Sequence, residues 1–323
     1  MISSPKPVEI AETVNGYLER LMPVLTPAGI VLGFLLPGVF IHLRPLVTAL
    51  FGIITFSGAL KLKVREIGLT LRSPLPIPLV FVLIHVLMPL AALLFSSLFF
   101  KDDPDTIAGF ILLYSGPTAV SGVIWVSMFR GDNALCLTLI LLDTLLAPIV
   151  VPGTMSILMG TRVAMNMSGI AVSLILMVVV PTIIGVTANE VSRGKIPAHV
   201  CPCVTPLSKV CIVLVIAANT SAVAPRVRLD NPKVWAIAAL CVLLAAAGYV
   251  LSKYIGLAVR LKPEKQVTFF FTVGLRNISA VTTIAVEFFP GATVLPTLLG
   301  IVFQQTIAAV MGRLLLGRPG KDP

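Results

Sequence analysis

The chain has 323 residues, of which 57% are hydrophobic and only 12% are charged, and its mean hydropathy is +1.02. A soluble domain carries about twice that share of charged residues and needs them to cover its surface. The composition therefore excludes a water-soluble enzyme, a disordered chain and a nucleic-acid-binding protein. It predicts an integral protein of the lipid bilayer.

Ten apolar segments are candidates to cross the hydrocarbon core, which takes about 20 helical residues. The second is shorter than the others, and clusters of charged or turn-forming residues separate them. The sequence therefore predicts an all-α membrane protein with ten transmembrane helices. In chain order the predicted spans cover residues 21–41, 45–60, 75–99, 107–129, 134–159, 165–188, 204–224, 234–252, 266–288 and 293–312.

An even number of spans places both termini on one side of the membrane. That side holds 16 of the 24 Lys and Arg residues, against six on the other side and two within spans. Because cytoplasmic loops carry the excess of Lys and Arg, both termini are predicted to be cytoplasmic, in a plasma or inner membrane. The net charge of +10 is then a consequence of topology and does not indicate an acidic partner.

Ten spans divide into five and five, and because five is odd the second half must enter the membrane from the opposite side. Two five-span halves of opposite membrane orientation are typical of an inverted repeat, an architecture common among transporters. We expect a cytoplasmic N-terminal segment (1–20), a first five-helix repeat (21–160), a second five-helix repeat (165–312) and a cytoplasmic tail (313–323).

Matching interruptions occur at residues 114–118 of the fourth span and 272–277 of the ninth. Breaks in corresponding spans of two halves indicate a binding site near the membrane centre, although glycine packing between helices also explains such glycines. A break frees backbone N–H groups, which suit a carboxylate, and carbonyls, which suit a cation. Polar side chains near the breaks add donors and acceptors: Thr118, Ser121, Thr272, Asn277 and Ser279.

Three ionisable residues, His85, Asp143 and Arg276, lie about ten residues into their spans, roughly 15 Å deep. Ionisable groups at that depth indicate function, because their burial is costly. Arg276 cannot lose its charge, so it either forms a structural ion pair with Asp143 or binds a substrate anion, with Asp143 as its counter-charge when empty. His85 is either a proton carrier or a neutral hydrogen-bonding residue between helices.

Several stretches resemble a known family: Tyr-Ser-Gly-Pro-Thr-Ala-Val-Ser-Gly from Tyr114, Arg-Gly-Asp-Asn-Ala-Leu from Arg130, and Thr-Leu-Leu-Ala-Pro-Ile-Val-Val-Pro from Thr144. With His-Val-Leu-Met-Pro from His85 and Val-Gly-Leu-Arg-Asn from Val273, they resemble the bile acid:sodium symporter family over nearly the whole chain. The resemblance implies a ten-helix 5+5 inverted repeat with panel and core domains, the core carrying two broken helices that cross. It also implies alternating-access transport of organic anions, such as bile acids or small carboxylates.

The chain departs from that family where the family binds sodium. The ninth-span Glu and Gln of the family are here Thr272 and Arg276, and the fifth-span hydroxyl positions are Cys136 and Ile140. The fourth-span Ser-Asn pair falls at or beside Ser121. A fixed guanidinium close to a sodium ion is repulsive at low dielectric, so we expect Arg276 to stand in place of the ion.

The leading hypothesis is a sodium-independent secondary carrier of a small-molecule organic anion, either uncoupled or proton-coupled. The alternative is a sodium-coupled symporter with non-standard ligands, so the possible partners are the anion, Na⁺ or H⁺, and the lipid bilayer. No enzyme activity, cofactor, metal site or nucleic-acid partner is expected, because no nucleophile–base or metal-ligand motif occurs. The predicted substrate-binding residues are Thr118, Ser121, Arg276 and Asn277, and the predicted coupling positions are His85, Asp143 and Thr272.

Overall fold

The computed structural model describes residues 6–62, 75–160, 163, 165–228 and 230–317. Within these ranges the backbone is helical apart from short connections and one isolated bridge between two of them. The helices, numbered in chain order, are α1 (Lys6–Leu35), α2 (Pro37–Ala59), α3 (Pro76–Phe99), α4 (Pro104–Ser115), α5 (Gly122–Met128), α6 (Asn133–Met159), α7 (Met167–Val191), α8 (Lys195–Val223), α9 (Pro232–Ala258), α10 (Pro263–Gly274), α11 (Ile278–Phe288) and α12 (Gly291–Leu316).

Seven of these helices are long and apolar enough to cross a membrane, namely α2, α3, α6, α7, α8, α9 and α12. Each overlaps mainly with one predicted span, but α2 begins at Pro37, inside the predicted first span, because α1 ends at Leu35. The predicted fourth span is divided into α4 and α5, and the predicted ninth into α10 and α11. The all-helical membrane fold and both predicted interruptions are therefore confirmed.

The predicted start of the first span, at residue 21, differs from the structure. Helix α1 begins at Lys6, so most of the segment expected to precede the first helix is itself helical. Helix α12 likewise continues to Leu316, into the predicted tail, while residues 1–5 and 318–323 lie outside the described ranges. Glu, Lys and Arg are good helix formers, so hydropathy detects what lipid accepts and not where a helix begins or ends.

Helices α3 and α7 each contain a π turn directly before a proline. The turn in α3 spans Leu83–Leu87 and precedes Pro89, and the turn in α7 spans Ile175–Val179 and precedes Pro181. Proline has no N–H to donate, and its ring crowds the carbonyl four residues earlier, so the helix widens before it. In α3 the residue four positions before the proline is His85.

The chain forms two compact units. The first comprises Met1–Val64 and Ser173–Pro225, and the second comprises Arg65–Val172 and Arg226–Pro323. Each unit draws on both predicted five-helix repeats, because a repeat follows sequence order whereas a compact unit follows packing. The division into two repeats stays a prediction.

In the first unit, small residues allow close helix packing. A Cβ at Gly33 of α1 would lie 2.5 Å from the carbonyl oxygen of Ala217 in α8, and one at Gly185 of α7 would lie 2.7 Å from the Cβ of Ala59 in α2. Lipid tails are as apolar as leucine side chains, so helices in a bilayer associate through such close contacts.

The second unit contains α3 to α6 and α9 to α12, and therefore both interrupted helix pairs. Helix α4 packs closely on α12, since a Cβ at Gly109 would lie 2.4 Å from the carbonyl oxygen of Thr293. Outside the apolar segments, Lys233 at the start of α9 forms an ion pair with Asp103, the N-cap of α4. These contacts fix α4 against α12 and the start of α9.

Candidate functional site

The two helix breaks lie against each other and are joined by backbone hydrogen bonds. The Asn277 N–H donates to the Pro117 carbonyl at 2.7 Å, and the Ala119 N–H donates to the Leu275 carbonyl at 3.1 Å. Thr118 and Arg276 stand opposite each other in an isolated antiparallel bridge. The crossing is therefore a small, directly paired backbone junction inside the second unit.

Local sequence accounts for both breaks. Pro117 lacks an N–H and disfavours helical conformation in the residue before it, and Gly116 there has an extended ψ of 151°. At the second break the ring of Tyr249 occupies the place of a side chain, because a Cβ on Gly274 would lie 2.0 Å from its Cε1. A glycine is therefore required where α10 ends.

Several of the backbone groups freed at the two breaks are paired with protein, although the sequence predicted that such groups would suit a ligand. Besides the two cross-break bonds, the Arg276 N–H donates to Gln304 Oε1 at 2.9 Å, and the Arg276 carbonyl accepts from Ile278 N–H at 2.9 Å. The Thr118 N–H donates to Asp143. Unpaired backbone groups are costly at membrane depth, and the two breaks satisfy several of each other's groups.

Asp143 of α6 accepts hydrogen bonds at both carboxylate oxygens. Its Oδ2 accepts from the backbone N–H of Thr118 at 2.6 Å and from the Thr118 hydroxyl at 2.7 Å. Its Oδ1 lies 2.8 Å from Nε2 of His85, in the π turn of α3. The side chain of Asp143 is only 1% exposed, so its charge is held by these partners and not by water.

Arg276 is also buried, at 2% exposure, but its guanidinium is not hydrogen-bonded. Nε, Nη1 and Nη2 have no hydrogen-bond partner among the described residues. A hydrogen-bonded ion pair with Asp143, one of the two alternatives for Arg276, is therefore not formed among the described residues, because the carboxylate is bonded to His85 and Thr118. Asp143 still interacts with Arg276 electrostatically.

Arg276 lines a narrow cavity of about 20 Å³ that sequence reasoning did not identify. Its polar walls include Tyr114 of α4, Tyr249 of α9 and Gln304 of α12, and the remaining walls are mostly apolar. The Tyr114 hydroxyl donates to the Cys241 carbonyl at 3.2 Å, whereas the buried Tyr249 hydroxyl has no partner in the described chain. A polar aromatic within an otherwise apolar span was the one available signal for Tyr249.

The other predicted site residues are engaged elsewhere. Ser121 is the half-buried N-cap of α5 and makes no capping bond through its side chain, and the Asn277 side chain caps α11 by accepting from Ala280 N–H at 3.4 Å. Thr272 is fully buried beside Cys136. The structure thus brings together Thr118, His85, Asp143 and Arg276, with the backbone of Asn277.

Two of the positions that correspond to sodium ligands in the family that the sequence resembles, Cys136 and Ile140, lie in apolar surroundings. They belong to one buried cluster with Ala119 and Leu275, which flank Thr118 and Arg276. A cation site needs several oxygen ligands. Cys136 and Ile140 supply none, whereas the hydroxyl of Thr272, a third such position, is buried without a hydrogen-bond partner in the described residues.

A helical membrane protein in which two broken helices cross at buried charged residues has the features of a transporter. A family profile described as "Sodium Bile acid symporter family" matches residues 48–227, more than half of the chain. "Uncharacterized protein YbaS" of Bacillus subtilis (strain 168) is 38% identical over 294 residues, 91% of this chain and 96% of YbaS.

Two further relatives carry sodium in their names. "Uncharacterized sodium-dependent transporter YocS" of the same Bacillus strain is 24% identical over 209 residues, 64% of this chain and 64% of YocS. "Probable sodium/metabolite cotransporter BASS1, chloroplastic" of Arabidopsis thaliana is 23% identical over 308 residues, 94% of this chain and 75% of BASS1.

The chain belongs to the sodium bile acid symporter family. It is an integral multi-pass membrane protein and a secondary transporter of a small molecule, and its family is one of transporters and not of enzymes.

Proposed function

We propose that the protein carries an organic anion across the membrane by alternating access, without sodium, and that Arg276 binds the anionic group of the substrate. The observation that carries this proposal is the buried guanidinium without a hydrogen-bond partner in the described residues. A buried charge is normally paired because isolation is costly. A substrate carboxylate would supply the missing acceptor with bidentate geometry.

The cavity beside Arg276 has a volume of about 20 Å³, enough for about one water molecule, so it marks a place for an anionic head and does not enclose a whole substrate. The Tyr249 hydroxyl adds a second donor without a partner in the described residues. The proposed substrate class is a carboxylate, either a small metabolite or a bile-acid-like molecule, because a carboxylate matches these donors. Of the predicted substrate-binding residues, Thr118 and the Asn277 backbone hold the crossing in place, and Ser121 lies at the start of α5.

Ten membrane crossings in a 5+5 inverted repeat complete the proposal. Helix α1 and the two interrupted pairs, α4–α5 and α10–α11, would add three crossings to the seven long apolar helices. On α9, Trp235 and Tyr254 are 62% and 63% exposed and lie about 29 Å apart along the helix, as expected for aromatic residues at the two membrane interfaces. The excess of Lys and Arg favours cytoplasmic termini in a plasma or inner membrane.

The two compact units support the panel-and-core division that the family resemblance implies. The unit with both breaks would be the core domain, and the unit formed by α1, α2, α8 and most of α7 would be the panel domain. In this assignment all predicted coupling and substrate residues belong to the core.

Independence from sodium is supported by three features of the crossing. The carbonyls of Pro117, Leu275 and Arg276 already accept backbone hydrogen bonds. Cys136 and Ile140, which correspond to sodium-ligand positions of the family, lie in an apolar cluster. The positive charge of Arg276 would repel a nearby cation. The second candidate, sodium-coupled symport through Ser121, Thr272 and Asn277, is favoured by the names of YocS and BASS1.

Uptake into proteoliposomes separates these functions. Labelled short monocarboxylates and keto acids, with a bile acid as the large comparator, are presented with and without a sodium gradient to wild type, Arg276→Gln and Arg313→Gln. Arg313 is exposed near the end of α12, so its variant controls for the loss of an arginine. We expect wild-type flux without sodium, at least a roughly tenfold loss in Arg276→Gln, and normal flux in Arg313→Gln.

Two outcomes would overturn the proposal. Flux that requires sodium would establish the symport alternative. Flux that survives Arg276→Gln would place the anion at another site.

A further inference from the structure

We infer that His85 and Asp143 form a proton-binding site, so that the substrate crosses the membrane together with a proton. The inference rests on the proposed function, because it identifies the coupling ion of the same site. It is carried by the geometry of the pair, by the sum of charges at the crossing and by the residue that joins the pair to Arg276.

The geometry leaves one ring nitrogen of His85 available. Oδ2 of Asp143 accepts from a backbone N–H, which can only donate, and from the Thr118 hydroxyl. Oδ1 lies 2.8 Å from His85 Nε2, and with the carboxylate as acceptor Nε2 carries the hydrogen and Nδ1 the lone pair. Nδ1 is buried and has no hydrogen-bond partner among the described residues. It is therefore the atom that takes up the proton.

The charges at the crossing add up to zero before a substrate binds. Arg276 contributes one positive charge, Asp143 one negative charge, and neutral His85 none. A bound monoanion leaves one negative charge in a buried site, and a proton on His85 cancels it. Each of the two ligands therefore strengthens the binding of the other, and this coupling is reciprocal.

Thr118 links the proton-binding pair, His85 and Asp143, to the anion-binding residue Arg276. Its N–H and hydroxyl both bind Asp143, and its backbone stands opposite Arg276 in the bridge between the breaks. Protonation of the pair and occupation of the guanidinium therefore act on the same short backbone junction.

The surroundings of the pair limit which other groups titrate with it. The groups that face the crossing are Arg276 from the second break, Tyr114 from α4, and Tyr249 and Cys241 from α9. The Phe81 ring packs on His85 at a centroid distance of 5.4 Å. His85, in the π turn of α3, adds the imidazole to these described groups, and imidazole is the side chain that most often exchanges protons in proteins.

The charge movement of the cycle follows directly. His85 Nδ1 gains a proton on the side from which the anion enters and loses it on the side to which the anion leaves. One negative and one positive charge move together, so net transport is electroneutral. A carrier without this site would move the anion's charge alone, and its flux would respond to membrane potential.

The experiment uses the carboxylate that gives Arg276-dependent flux in wild-type proteoliposomes. A pH gradient, acid outside, is imposed while potassium and valinomycin hold the membrane potential at zero. Interior pH is followed with a trapped dye. We expect accumulation to about tenfold for one pH unit, acidification of the interior with the substrate, and no response to an imposed potential.

His85→Gln is the test variant and His199→Gln its matched control, since His199 is exposed and bonds only the Lys195 carbonyl in the described structure. His85→Gln should lose accumulation driven by the pH gradient, while its thermal unfolding and its yield of monodisperse protein report whether it folds. His199→Gln should behave as wild type.

The outcomes distinguish this inference from the proposed function. Arg276-dependent flux that responds to potential and ignores the pH gradient overturns the proton site and leaves the anion carrier standing. Absence of Arg276-dependent flux for every carboxylate overturns the proposed function itself. If His85→Gln fails to fold, the wild-type measurement of electroneutrality decides by itself.

Discussion

Asp143 and Arg276 are almost equally buried, at 1% and 2% exposure, but they differ in their partners. The carboxylate accepts from a backbone N–H and a hydroxyl and pairs with a histidine, whereas the guanidinium has no hydrogen-bond partner in the described chain. A satisfied charge holds the fold together, and an unsatisfied one costs free energy unless a ligand meets it. The contrast separates a structural and proton-binding side of the crossing from an anion-binding side.

The largest effect should follow from Asp143→Ala. The substitution leaves His85 and Thr118 unpaired and removes the compensating charge near Arg276, so we expect a loss of about 3–5 kcal/mol of stability. Thermal unfolding in detergent and the yield of monodisperse protein measure it. A variant as stable as wild type would show that the carboxylate does not hold the crossing.

Gly274→Ala should cost about 1–3 kcal/mol, as overpacking does, because its Cβ would lie 2.0 Å from the buried Tyr249 ring. Gly153→Ala in α6 is the matched control, since nothing lies within 4 Å of the added Cβ, and there alanine favours the helix. The two melting temperatures are compared directly. Equal values would mean that the Tyr249 ring can move away from the second break.

Arg276→Gln should have a small effect on stability despite its burial. The variant removes a buried charge that has no described hydrogen-bond partner, so we expect its stability to lie within about 1 kcal/mol of wild type or above it. Measured beside Asp143→Ala, it tests the difference between the two charged residues. A loss as large as that of Asp143→Ala would show that the guanidinium is a structural group.

Tyr114 and Tyr249, the two tyrosines of the cavity, also differ in whether their hydroxyls are hydrogen-bonded, and we expect smaller effects from them. Tyr114→Phe removes a hydrogen bond to the Cys241 carbonyl and should cost about 1 kcal/mol. Tyr249→Phe removes a hydroxyl without a described partner and should leave stability unchanged while weakening substrate binding, seen as a higher KM with kcat retained. The opposite ranking in thermal unfolding would contradict this division of roles.

The ion pair of Asp103 and Lys233 should contribute a small part of the stability, and that part depends on pH. Burial acts to raise the pKa of Asp103, but hydrogen bonds from Lys233 and Thr106 outweigh it, so the pKa lies below its ordinary value. A lowered carboxyl pKa stabilises the fold above the unfolded pKa, and the contribution is lost as pH falls below about 4. Asp103→Asn should therefore cost under about 1 kcal/mol at neutral pH and nothing in acid, as thermal unfolding at the two pH values would show.

Sequence reasoning was sufficient for features that depend on local chemistry. The pair Gly116-Pro117 interrupts a helix, and the first break lies there. The second break was predicted at residues 272–277, and α10 ends at Gly274. Apolar runs predicted the seven long helices. His85, Asp143 and Arg276 were identified as candidate functional residues because they are ionisable and lie deep within apolar spans. Helix starts were misplaced, as at Lys6, because charged residues extend a helix as readily as apolar ones.

The sequence by itself determined the membrane environment, the two interruptions and the identity of the charged residues, because each of these depends on hydropathy or on backbone geometry within a few residues. Only the tertiary structure decided which charge is satisfied. Thr118 reaches Asp143 across 25 residues, and Gln304 reaches Arg276 across 28. Tyr249 meets Gly274 only because α9 packs on the end of α10. Such contacts arise from the packing of distant helices, which no local pattern encodes.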